Sequence, residues 1–428
     1  MSTIPPESYE ARSATDRAFL LYQRAVPFFL LILVAVTYPL WIDQTAFPAV
    51  PIIAELCPVP GLVDILLLAT LTAILMTVQI IGPQSPKASA PWIACSIILV
   101  LCFCLNQHRF QPWAYQFAVL GFIFGLAPPR NARQMAMWIS LSIYFYSALS
   151  KLNPSFVNEL GSDFLVTFSS IGGMSLSPDQ LAAWKWLALG FPLFELLAFV
   201  LLLMPRTRKL GVVAACMMHV GLIVVLGPLG LSHSWGVLLW NVFFFTQAIL
   251  LFGFSEPAQE EETAPAGTAG LRVAQVICGC VILFPTLELV GLGDPWPAWG
   301  LYASHVGRTH LFLSRHAVDR LPEPLRAYVD TESSDDLFVP FRLEQWSLET
   351  TGAPIYPGQR FSLAAARALV NKTDTASAAR LVLESPAGRL QDDREADTFS
   401  GDKIAMEADR RFWLNTKPRD AFLQDRDR

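Results

Sequence analysis

Long apolar runs alternate with short polar connections over the first two thirds of the chain, and this pattern predicts membrane helices. Nine apolar stretches can be read, at 26–42, 62–82, 91–105, 113–127, 134–150, 184–204, 211–227, 235–254 and 271–291. Several are shorter than the roughly 20 residues of a clean span, which a bundle tolerates where neighbouring helices cover the backbone. Those at 91–105 and 113–127 read either as two short spans or as one broken hairpin. The expected fold is an all-α polytopic membrane bundle of eight or nine spans over 26–291, extending to about 318, with a small α+β C-terminal appendage.

The flanking segments are polar. Residues 1–25 carry Glu7, Glu10, Arg12, Asp16, Arg17 and Arg24, with no cleavage site after the first apolar run, so they read as a cytoplasmic N-terminal segment. Residues 255–270 read as a flexible acidic linker. Residues 319–428 are soluble in character. Within them Phe361–Val370 has helical periodicity, and Arg342–Leu348 and Arg380–Glu384 read as strands. Positive charge in the loops sets orientation. Arg130 and Arg133, and Arg206, Arg208 and Lys209, mark cytoplasmic loops, whereas 43–61 and 228–234 have neither Lys nor Arg. This threading puts 106–112, 151–183 and the appendage outside, with Arg109, Lys151 and Lys185 as exceptions.

Composition agrees with a multi-pass integral protein, of the cytoplasmic membrane if bacterial. Of 428 residues, 53% are hydrophobic and 16% charged, against roughly 25% charged in soluble domains. A net charge of −5 supplies no basic field for nucleic acid. The seven cysteines include two C-x-C pairs, whose thiols point to nearly opposite faces of a helix; packing is the expected role.

Charges inside a bilayer are costly and mark candidate sites. Lys151 closes the run 137–150, Glu195 lies deep within 184–204, and His219 lies within 211–227. The bland readings are a lysine snorkelling at a helix C-terminus and polar contacts between helices. The functional reading is a lysine general base tuned by His219 and Glu195. Asn106, His108, Arg109, Gln111 and Trp113 form a dense polar and aromatic patch at an outer turn, with Tyr144 on the next span. Asn106, Arg109, Trp113 and Tyr144 are the substrate-binding candidates. His305 and His310 are five apart, which does not put two ligands on one helix face, so no metal site is expected. Nucleotide and hydrolase fingerprints are absent, as is an inverted repeat that would suggest transport.

The stretch Tyr144-Phe-Tyr-Ser-Ala-Leu-Ser-Lys151-Leu-Asn-Pro-Ser-Phe-Val resembles the HTTM domain, the membrane domain of vitamin K-dependent γ-glutamyl carboxylase and its bacterial relatives. Leu105-Asn-Gln-His-Arg-Phe-Gln-Pro-Trp-Ala-Tyr-Gln116, Pro192-Leu-Phe-Glu195-Leu and Met218-His219 fall in the same order over about 20–320. The resemblance implies a carboxylase-like or quinol-using enzyme in which Lys151 deprotonates a hydroquinone entering from the membrane. Two departures stand against carboxylation. Trp113 or Pro112 occupies the place of a catalytic histidine, and the large lumenal domain is missing. The alternative expectation is a non-catalytic DoxX/MauE-like membrane partner, or a protein that binds a lipid or quinone. Expected partners are the bilayer and a quinone or small lipid.

Overall fold

The computed structural model describes residues 6–424 except Gln44, 255–267 and 331–336; most of the expected acidic linker lies outside the described residues. The protein is a multi-pass α-helical membrane bundle capped at one end by a small α+β unit. Ten principal helices build the bundle. They are α1 (Pro6–Val36), α2 (Leu62–Ile81), α3 (Ser89–Leu105), α4 (Pro112–Leu126), α5 (Pro129–Ser150), α6 (Leu160–Ile171), α7 (Gly190–Leu203), α8 (Arg208–Leu226), α9 (Trp235–Gln247) and α10 (Ala269–Leu283). The nine apolar stretches correspond to α1–α5 and α7–α10; α6 lies in the long connection between α5 and α7.

Among the described residues, seven helical stretches are long and apolar enough to span a membrane. α4 and α5 are not among them. With 15 residues, α4 reaches only about 22 Å, short of the roughly 30 Å of hydrocarbon. α5 carries Arg130, Asn131, Arg133 and Gln134 in its first turns. Both pack in the interior, α4 against α3, α10 and α5, and α5 against α7 and α10. Neighbouring helices therefore stand between them and lipid, which relaxes the demand for length and apolarity.

Polar rungs tie the helices together. Tyr22 Oη of α1 donates to Gln247 Oε1 of α9 at 2.8 Å, and Gln116 Nε2 of α4 donates to the same oxygen at 3.0 Å. Trp240 Nε1 closes the set on Gln116 Oε1 at 2.9 Å. After Gln247 the helix loosens into a π turn, Ala248–Phe252. Arg133 of α5 donates to Leu251 O and Phe254 O at its end, satisfying carbonyls that the helix no longer pairs. α7 and α8 cross closely at Gly211, where a Cβ would lie 2.6 Å from Leu202 N.

The C-terminal unit has a four-stranded antiparallel sheet in the order β2-β1-β3-β4. Its strands are β1 (Arg308–Ser314), β2 (Phe338–Phe341), β3 (Ala379–Glu384) and β4 (Ala396–Ser400). Leu311 of β1 pairs with Phe341 on one side and Leu381 on the other, so one face presents Leu311, Leu313, Val339, Phe341, Leu381 and Leu383 to the core. α12 (Gln359–Lys372) packs there, with Phe361 and Ala364–Val370 contributing buried residues. The strand expected at Arg380–Glu384 and the helix expected at Phe361–Val370 are present. The strand expected at Arg342–Leu348 is instead helix α11 (Leu343–Thr351). Its buried Leu343, Trp346 and Ser347 recur at helical spacing, which the run's short length concealed. The unit reaches back to β1, ahead of residue 319, and recruits Phe47 and Val50 from the loop after α1 into its core.

One buried cluster fastens this unit to the bundle. Asp64, in the first turn of α2, accepts from Arg109 of the α3–α4 turn and from Arg419 of the C-terminal tail. All three side chains are fully buried. Arg109 Nε also donates to Leu40 O at 2.8 Å, Arg419 Nη2 to Val59 O at 2.5 Å, and Asp43 lies 3.9 Å from Arg419. Two carboxylates thus face two guanidiniums. Removing one partner of a buried pair costs about 3–5 kcal/mol, because the other charge stays buried. Asp64→Asn leaves two guanidiniums facing the single carboxylate of Asp43 and is expected to destabilise the protein by about that amount. Arg419→Met, which keeps the Asp64–Arg109 pair, should cost less but free the tail. Thermal unfolding in nanodiscs and limited proteolysis of residues 412–424 check both; wild-type behaviour in both variants would show that the tail is held otherwise.

Candidate functional site

A cavity of about 1450 Å³ lies between the capped end of the bundle and the underside of the C-terminal unit. Lys151, Glu195, His219, Tyr144 and Trp113 all line it. These come from α5, α7, α8 and α4, so five of the seven residues singled out from sequence converge in space.

Local sequence positions Lys151. Asn153-Pro154 ends α5, because the Asn153 side chain caps the next helix, accepting from Phe156 N at 2.9 Å, and Pro154 opens that helix. Lys151 therefore sits at the C-cap of α5 and reaches back one turn. Its Nζ donates to Ser147 Oγ at 2.8 Å and to Glu195 Oε2 at 2.5 Å. An ammonium has three donors and a carboxylate two acceptor oxygens. One Lys151 N–H and Glu195 Oε1 thus have no partner among the described residues.

A second polar chain runs beside the first. Asn241 Nδ2 donates to Val237 O at 2.9 Å, which turns Asn241 Oδ1 toward His219 Nδ1, also at 2.9 Å. Since Oδ1 can only accept, Nδ1 carries the proton and Nε2 accepts from Tyr144 Oη at 2.9 Å. The His219 ring lies parallel to Phe244, with centroids 5.1 Å apart. Both ring nitrogens of His219 and the Tyr144 hydroxyl proton are engaged, so the Tyr144 oxygen is held in place with acceptor capacity to spare. Trp113 adds an indole N–H that has no hydrogen-bond partner among the described residues. Asn241 and Ser147 were not singled out from sequence. Asn241 had a signal, an amide inside the apolar run 235–254.

The outer rim is polar. Arg308 pairs with Glu159 on the cavity lining, and outside that lining Asp392 accepts from Ser155 and from Asn158 Nδ2, the latter at 2.9 Å. Burial opposes ionisation of Asp392, but these two hydrogen bonds and the nearby arginines hold its carboxyl below the usual range.

Asn106 and Arg109 lie elsewhere. Asn106 Oδ1 accepts from His108 N at 3.1 Å and Val50 N at 3.3 Å, capping the α3–α4 turn. Arg109 belongs to the Asp64 cluster. Neither lines the cavity.

A family model described as "Methylamine utilisation protein MauE" matches residues 130–233. That stretch of the chain is similar to MauE. It runs from the first turn of α5 to the loop before α9, and it contains Tyr144, Lys151, Glu195 and His219. No curated protein and no solved structure matches the chain. The MauE match overturns the HTTM resemblance, and with it the carboxylase reading. The HTTM comparison rested on four short polar motifs, three of them in this same stretch. Any bundle that encloses a polar site needs a few partnered charges on successive helices, so their order alone does not separate the two families.

His108 is fully buried at the junction between bundle and cap. Its ring contacts Phe47 and Phe361, and Nε2 donates to Pro354 O at 2.9 Å. Burial, with Arg109 adjacent, lowers its pKa from 6.5 to about 4. The folded protein thus keeps His108 neutral where the unfolded chain would bind a proton. Stability from this site is full above about pH 6.5 and falls as pH drops toward 4, by about 3 kcal/mol in all. Unfolding measured across that window should show this loss in wild type and a flatter profile in His108→Gln. Identical profiles would remove His108 as the acid-labile group.

Proposed function

We propose that this MauE-like membrane protein binds an uncharged, lipid-soluble molecule with a polar ring head, of the quinone class, in the cavity beneath its C-terminal unit, and that it acts as a binding partner rather than as a catalyst. The observation that carries this reading is the convergence of Trp113, Tyr144, Lys151 and Glu195 in a predominantly apolar cavity. Apolar walls with a few placed polar groups are the usual make-up of a small-molecule site.

Charge favours an uncharged head. Lys151 and Glu195 neutralise one another, as do Arg308 and Glu159 at the rim. An ionised head would face a group of its own sign as closely as one of the opposite sign. A head with both carbonyl and hydroxyl character instead matches the Trp113 N–H, the remaining Lys151 N–H, the Tyr144 oxygen and Glu195 Oε1. Lys151 donates to both of its partners, a role that suits binding better than proton abstraction.

Orientation supports a site on the outer face. The basic loops after α4 and α7 lie at the end away from the cap, which the positive-inside rule puts in the cytoplasm. The exceptions are neutralised or engaged within the protein: Arg109 by Asp64, Lys151 by Glu195, and Lys185 by a 2.8 Å bond to Asn158 Oδ1.

Mass spectrometry of lipids extracted from protein purified in native nanodiscs tests the reading. Wild type should retain a ring-headed neutral lipid in excess of its bulk share. The charge-balanced double variant Lys151→Met/Glu195→Gln should lower that retention at least about tenfold, since hydrogen bonds to charged groups are worth about 1.5–3 kcal/mol. Recovery of only bulk phospholipid, in bulk proportions, would defeat the proposal.

A further inference from the structure

We infer that the cavity has a lateral portal in the bundle wall among α6, α7 and α8, and that its ligand is therefore a lipid whose long apolar tail stays in the bilayer while its head occupies the site. This rests on the reading that the cavity binds an uncharged ring-headed lipid.

The portal is drawn from residues that are both exposed and cavity-lining. Phe168 of α6, Leu187 just ahead of α7 and Met217 of α8 are each more than half exposed, yet all three line the cavity. We place the opening where the cavity wall is made of such accessible side chains. Every one of these side chains is apolar, so the opening suits hydrocarbon rather than water. Met217 and Gly221 are one turn apart on the same face of α8, near the middle of the span Arg208–Leu226. The opening therefore lies at the depth of the lipid chains.

Two glycines leave the passage clear. A Cβ on Gly190, at the start of α7, or on Gly221 would meet nothing within 4 Å, and both residues line the cavity. Gly221 is inside a helix, where glycine is unfavourable, and no neighbour's proximity demands it; the space itself is what a side chain would fill. α7 and α8 are held together at the opposite end, where Gly211 packs on the backbone of Leu202.

Size points the same way. Pockets of about 300–1,000 Å³ enclose drug-sized ligands, and the cavity here, about 1450 Å³, holds a ring head together with the first part of a chain. The side toward the C-terminal unit instead carries charge, with the Arg308–Glu159 pair and the exposed Arg342 and Glu344 on the cavity lining, so the bilayer side is the apolar route in.

The test compares a short-chain and a long-chain quinone of the same ring, measured by quenching of tryptophan fluorescence in nanodiscs. Both probes should bind wild type. In Gly221→Phe, and independently in Met217→Trp, the ratio of long-chain to short-chain affinity should fall at least tenfold. Short-chain binding in the variants reports that they are folded. If the ratio is unchanged in both variants, or if wild type binds only the short-chain quinone, the portal inference is overturned while the binding reading stands. If wild type binds neither, the quinone-class reading itself fails, and the portal inference with it.

Discussion

A polar or charged side chain inside a bilayer-embedded bundle must find its partner within the protein, because lipid offers none. That constraint organises this structure. Asp64 draws together Arg109 and Arg419, residues from the bundle and the far C-terminal tail. Lys151 meets Glu195, His219 meets Tyr144 and Asn241, and Gln247 serves Tyr22 and Gln116. Apart from His219–Asn241, these helix–helix contacts join helices that are not consecutive in the chain, so they also specify which helices are neighbours.

The same constraint sorts structural from ligand-facing groups. In the Asp64 cluster two carboxylates meet two guanidiniums, all drawn into one knot at the bundle–cap junction. Around the cavity the pairing is incomplete by design of geometry. Lys151 keeps an N–H, Glu195 an oxygen, Tyr144 its lone pairs and Trp113 its indole N–H. These groups project into a space that no side chain fills. Burial alone would not distinguish the two sets, since Arg109 and Lys151 are both buried. Spare hydrogen-bonding capacity alone would not either, because Arg109 Nη2 and Arg419 Nε also lack a partner among the described residues; what separates the sets is that only the second lines the cavity.

Much of this was legible from residue order. The apolar runs located the helices, because a bilayer demands long apolar segments. Lys151, Glu195 and His219 stood out because ionisable residues within spans are rare. The outer-turn patch was harder to divide. Trp113 faces the cavity, whereas Arg109 turns away toward Asp64 and Arg419, and Arg419 lies at the far end of the chain where nothing local announces it. Asn241 was readable as an amide in an apolar run, but its role depends on Val237 O orienting it, a fact of packing. The stretch 342–348 looked like a strand because seven residues are too few to separate a period of two from one of 3.6.

An apolar cavity at this depth also changes what selectivity requires. In water, an apolar site gains affinity simply by removing hydrocarbon from solvent. Behind a lateral opening its competitor is an ordinary acyl chain, which fills apolar space as well as a ligand's tail does, so the tail contributes little discrimination. Selection must then come from the head, through groups that an acyl chain leaves unpaired and a ring-headed lipid satisfies. Leaving the Lys151 N–H and Glu195 Oε1 without partners is unfavourable in a low-dielectric site, and that penalty falls only on the wrong occupant. On the proposed reading, the incomplete pairing at Lys151 and Glu195 is thus the feature by which this cavity tells its ligand from the membrane around it.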